Sequence, residues 1–62
     1  MMVLKERAYA EGSIVIQLCV SNDGYMVVAS NFVADKNLEK KFESLEKAET
    51  FYNIVVGQQD AL

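Results

Sequence analysis

The chain has 62 residues, 52% of them hydrophobic and 24% charged, with a formal net charge of −3. A chain of this length is one domain that buries only ~60% of the surface its unfolded form exposes. Its single core supplies no more than ~3–5 kcal/mol unless a disulfide, a metal or a partner subunit helps. One cysteine excludes an internal disulfide, and the absence of histidine argues against a structural zinc site. Stability must then come from tight packing or from self-association.

The acidic balance argues against nucleic acid as the main partner, since such surfaces are usually basic. The N-terminal segment MMVLKERAYAEG carries charges where the apolar core of a signal peptide would lie. The longest uncharged run, residues 12 to 22, is too short to span a bilayer, which needs ~20 apolar residues. The expected location is the cytoplasm, with Cys19 a reduced thiol. The start at Met1-Met2 suggests a complete small reading frame. No cofactor is expected.

In chain order, residues 2 to 9 read as a first strand with Met2, Leu4 and Ala8 on one face. Ala10-Glu11-Gly12 reads as a three-residue loop ending in glycine, which pairs Tyr9 with Ser13. Glu6 interrupts the apolar face, so this strand is expected at an edge, where a charge discourages unwanted pairing. Residues 13 to 20 and 25 to 32 alternate and are rich in β-branched side chains, the mark of strands. The turn between them sets the register. A two-residue Asp23-Gly24 loop pairs Val20 with Val27. A three-residue loop, Asn22-Asp23-Gly24, with Gly24 left-handed in a bulge, pairs Val20 with Met26. The second choice gathers Ile14, Ile16, Leu18, Val20, Met26, Val28 and Phe32 on one face and is preferred.

Residues 35 to 43 fit two patterns. Leu38 and Phe42 extend the helical spacing of the next segment backwards, or they form one face of a short fourth strand paired with Phe32 and Val28. The strand is preferred. Residues 44 to 56 read as a helix, with Ser44 as N-cap, Glu46 at the positive end of the dipole, and Leu45, Ala48, Tyr52 and Val55 as an apolar stripe. Gly57 reads as its stop, with residues 58 to 62 frayed. The expected fold is a single α+β domain: a three- or four-stranded antiparallel β-meander with one C-terminal α-helix packed on one face.

The segment KKFESLEKAETFYN, residues 40 to 53, resembles the strand–helix junction of small β-meander-plus-helix modules such as the WGR domain. This chain has no tryptophan and so lacks the Trp-Gly-Arg element of that family. The resemblance implies local structure and carries no function.

With the helix on one side, the preferred register leaves Tyr9, Val15, Cys19, Tyr25, Val27 and Ala29 on the other. That face would be uncharged at its centre, whereas an antiparallel sheet usually turns a polar face to water. A contiguous exposed apolar patch marks an interaction site. The first expectation is therefore a non-catalytic interaction module that forms a homodimer through this face. Its size and acidity suit an adaptor or inhibitor, for instance from a phage or other mobile element, with a foreign protein as a further possible partner. The alternative is a nucleic-acid-associated accessory protein that stacks bases on Tyr9 and Tyr25 beside Lys5 and Arg7. An enzyme is not expected: there is no histidine, no glycine-rich phosphate loop and no nucleophile beside a recognisable base. Cys19 has no cationic neighbour to activate it and reads as a small apolar residue.

Overall fold

The computed structural model describes all 62 residues. Four strands, β1 (Met2–Tyr9), β2 (Ile14–Ser21), β3 (Gly24–Asn31) and β4 (Lys36–Phe42), form one antiparallel sheet in the order β1-β2-β3-β4, and the helix α1 (Leu45–Asp60) covers one face. The α+β meander read from the sequence is therefore the fold, and residues 36 to 42 are its fourth strand. No helix is long and apolar enough to cross a membrane.

The register between β2 and β3 differs from both sequence options. Ser21 pairs with Gly24 and Val20 with Tyr25, so the connection is the two residues Asn22-Asp23. Neither has a positive φ. Ser21 Oγ donates to Asp23 Oδ1 at 2.8 Å and helps to hold the turn. Gly24 is not a turn residue; it opens β3 at φ 145°, where a Cβ would lie 2.7 Å from the Phe42 carbonyl oxygen. Glycine is needed there because the backbone of β4 comes too close for a side chain. Shifting the register by one residue turns every side chain of β3 over. Tyr25, Val27 and Ala29 therefore face the helix, while Met26 and Val28, expected in the core, face away.

The same correction applies to β1. Tyr9 pairs with Ile14, and Ala10, Glu11 and Gly12 turn the chain with φ of 52°, 58° and 91°. An irregularity between Val3 and Lys5 leaves Leu4 unpaired and exposed. Lys5, Arg7 and Tyr9 thus face the helix side. In β4, Leu38 pairs with Ala29 and Phe42 with Tyr25, after a four-residue loop, Phe32 to Asp35. Phe32 sits in that loop and Leu38 lies at an uncovered edge, 65% and 54% exposed, so neither joins the core.

The core is small. Ile16, Leu18, Val27, Ala48 and Tyr52 form one buried cluster, with Tyr9, Tyr25, Ala29, Phe42, Phe51, Val55 and Val56 packed around it. Ser44 caps the helix, its Oγ accepting from the Lys47 N–H at 3.3 Å. Phe51 meets Phe42 with ring centroids 5.4 Å apart, and the Lys40 ammonium lies 5.0 Å from the Phe51 centroid.

The helix does not stop at Gly57. It runs to Asp60, and the terminal segment expected to fray is tied to β1. Tyr9 Oη donates to Asp60 Oδ1 at 2.8 Å, and Arg7 Nη2 lies 3.4 Å from the same oxygen. The first half of the helix is further fixed by Lys5 Nζ to Glu49 Oε2 at 2.9 Å. The two ion pairs are largely exposed and contribute ~0–1 kcal/mol each.

Candidate functional site

The sheet has one face under the helix and one with nothing over it. On the open face the side chains form rungs across the strands. One rung is Glu6, Gln17, Val28 and Glu39; the next, toward the Asn22-Asp23 turn, is Val3, Cys19, Met26 and Lys41; on the other side lie Ala8, Val15, Ser30 and Asn37. Apolar side chains occupy much of the middle: Val15 and Cys19 on β2, Met26 and Val28 on β3. Gln17 and Ser30 are the polar residues among them, and Gln17 donates from Nε2 to Glu6 Oε1 at 2.7 Å and so has its partner within the same face. Charges stand at the two edges, Glu6 on β1 and Glu39 and Lys41 on β4.

The six residues expected to share one exposed face do not share one. Val15 and Cys19 lie on the open face, whereas Tyr9, Tyr25, Val27 and Ala29 pack on the helix side. The open face instead gains Val3, Ala8, Met26 and Val28. Sequence hides these residues because β3 is apolar on both sides, so alternation identifies a strand without saying which side is buried. A usable signal lies elsewhere. Glu49 and Asp60 are about three helical turns apart and therefore on one stripe, and Lys5 and Arg7 share a face of β1. Matching the two pairs of charges sets β1 with Lys5, Arg7 and Tyr9 toward the helix.

The residues considered for base stacking are engaged inside the fold. Lys5 pairs with Glu49, Arg7 and Tyr9 hold Asp60, and Tyr25 packs on the core cluster. None of the four is on the open face.

Cys19 is 1% exposed although no helix covers it. Its neighbours across the strands are Val3 and Met26. Burial pushes its thiol above the ordinary value of 9.0, with the chain amino terminus opposing the rise and Glu6 adding to it. At neutral pH it is a protonated, apolar side chain. Asp23 is held below its ordinary value, first by the Ser21 hydroxyl bond and then by its own backbone N–H and by Lys41. No three Cys, Asp or Glu side chains gather in a metal-binding group.

No family model, curated protein or solved structure matches the chain. The open face is accordingly read from its own chemistry.

Two depressions mark the ends of the sheet. One, of about 170 Å³, lies beside the Asn22-Asp23 turn between Met1, Tyr25, Lys41 and Phe42. The other, of about 340 Å³, lies between Ile14, Ala29, Leu38 and Gln59, where the helix leaves β4 uncovered. Ser21 and Asp23, which are hydrogen-bonded to each other at 2.8 Å, line the first, and there the bond serves the turn.

Proposed function

We propose that this protein is a small non-catalytic interaction module that forms a homodimer through the open face of its sheet. The observation that carries this reading is a sheet face with no element over it, on which Val15, Met26 and Val28 stay partly exposed, in a chain that buries only six of its 62 residues. Full burial of a Val, Leu or Ile stabilises by ~1.5–3 kcal/mol, and three such side chains, Ile16, Leu18 and Val27, are fully buried. A second copy over Val15, Met26 and Val28 would extend that core and raise stability by mass action. The molecule measures 30 × 21 × 15 Å. Its broad face is on the order of 600 Å² in projection, comparable with the ~800 Å² per partner of a standard interface.

The observed register centres the face on Val28 and Met26 rather than on Val27 and Tyr25. An adaptor or inhibitor role, with the dimer as the working unit, is the form of activity most in keeping with this size and acidity. A reducing compartment such as the cytoplasm suits a chain with one buried thiol and no second cysteine to pair with it.

Light scattering over a range of concentrations tests the proposal. The expected mass is twice 6.9 kDa, falling toward the monomer on dilution. Val28→Glu should give the monomer mass at every concentration with the far-ultraviolet dichroism of the fold retained. A wild-type protein that stays monomeric, or a Val28→Glu variant that still dimerises, overturns it.

A further inference from the structure

Accepting the open face as the dimer surface, we infer that the two sheets stack about a two-fold axis that crosses the strands between the Glu39 rung and the Lys41 rung, so that Glu39 of each copy meets Lys41 of the other.

Charge selects this axis. The open face carries three charged side chains in its rungs: Glu6, Glu39 and Lys41. For aligned stacking, in which the strands of the two sheets run nearly parallel or antiparallel, a two-fold axis in the plane between the sheets lies close to the strand direction or close to the perpendicular across them. An axis along the strands, midway between β2 and β3, lays β1 of one copy over β4 of the other. Glu6 and Glu39 occupy the same rung, so carboxylates would then face each other on both edges. An axis across the strands at the rung of Glu6, Gln17, Val28 and Glu39 is no better: Glu39 meets Glu39 and Glu6 meets Glu6. Moved half a step toward the turn, the axis exchanges this rung with that of Val3, Cys19, Met26 and Lys41. Glu39 then lies over Lys41 twice, once on each side of the axis, and Val28 lies over Met26. Glu6 lies over Val3 at the exposed β1 edge, where its carboxylate keeps the Gln17 bond and its access to water.

Several features favour this arrangement. Stacked sheets sit ~10 Å apart, a gap that an extended Glu and Lys reaching toward each other can span. Neither Glu39 nor Lys41 takes part in an ion pair within the chain, and both are exposed. Lys40, which points to the opposite side, is already engaged over the Phe42 and Phe51 rings. Among the registers compared, this one sets opposite charges over each other and no like charges.

Charge exchange tests it. Glu39→Lys and Lys41→Glu should each weaken self-association at least about tenfold, because two opposite-charge pairs become two like-charge pairs. Mixed in equal amounts, the two single variants should form a heterodimer, since the two lysines that one chain then carries at these positions face the two glutamates of the other. The double variant carrying both changes should dimerise as the wild type does. Both positions are exposed at an edge, so the dichroism of each variant should be that of the wild type. If the singles dimerise normally, or the mixture fails to recover, while Val28→Glu still dissociates the protein, the face is correct and this register is wrong. If Val28→Glu also leaves the mass unchanged, the open face is not the interface, and both readings fall.

Discussion

Gly57 offers a sign test of the fold. Read from the sequence, it ends the helix in a left-handed conformation, where an alanine costs ~1–2 kcal/mol. In the structure it lies inside α1, is absent from the positive-φ glycines, and has nothing within 4 Å of where a Cβ would be. There an alanine replaces the poorest ordinary helix former with the best and gains ~0.8–1.0 kcal/mol. The two readings therefore differ in sign and by about 2–3 kcal/mol in size. For a domain this small, 1 kcal/mol moves the melting temperature by ~4–8 °C. A Gly57→Ala variant followed by thermal and urea melts at one fixed concentration should melt ~4–8 °C higher, with an unchanged urea slope. A stiffer last turn should also hold Asp60 more firmly against Tyr9 and Arg7. A lowered melting temperature would place Gly57 at a helix terminus, and would refute both the length of α1 and the Asp60 tether that depends on it.

Two further outcomes follow from other parts of the fold. Gly24→Ala should cost at least ~2 kcal/mol, combining an L-residue at φ 145° with a Cβ 2.7 Å from the Phe42 carbonyl oxygen; a neutral result in the same urea melts would mean that β3 and β4 are farther apart. The fold should also weaken in alkali. Burial raises the Tyr52 phenol above 10.0, opposed by Arg7 and Lys5, and burial together with the Asp60 bond raises that of Tyr9. A folded-state pKa above the unfolded one gives stability that is fully present below pH 10 and is lost as pH rises through the folded value. The urea midpoint should hold steady up to that point and then fall in step with phenolate absorbance, less steeply in Tyr52→Phe; a midpoint constant above pH ~10 would show that neither phenol is shielded.

Elements and faces differ in how far local chemistry fixes them, and β3 shows why. It is a short apolar run with paired valines and a tyrosine, bounded by turn residues, so it suits a strand, as does the β-branched β2. Ser44, Ala48 and Tyr52 define the helix start and its buried stripe in the same direct way, whereas Leu38 and Phe42 suit a helix as well as a strand until their pairing with β3 decides. The elements β2, β3 and α1 are readable because each depends on local spacing. Which side of β3 is buried does not. Tyr25, Val27 and Ala29 are as apolar as Met26 and Val28, so the hydrophobic count is nearly indifferent and a one-residue change of turn decides everything. That turn depends on where the Phe42 carbonyl approaches Gly24, a contact between segments far apart in the chain.

The open face inherits the same dependence. Val15 and Cys19 are legible as members of it because β2 has a clear inner side, Ile16 and Leu18. Met26 and Val28 are not, because their position follows from the turn. The end of the helix is likewise a tertiary matter: glycine favours a stop at position 57, but continuing one more turn brings Asp60 to Tyr9 and Arg7. Sequence alone determined an antiparallel meander and its covering helix, since strand and helix periods are local properties of the chain, while pairing with β3 made residues 36 to 42 a fourth strand. Tertiary structure alone decided which faces meet, because register and helix length are set by contacts whose partners lie across the fold.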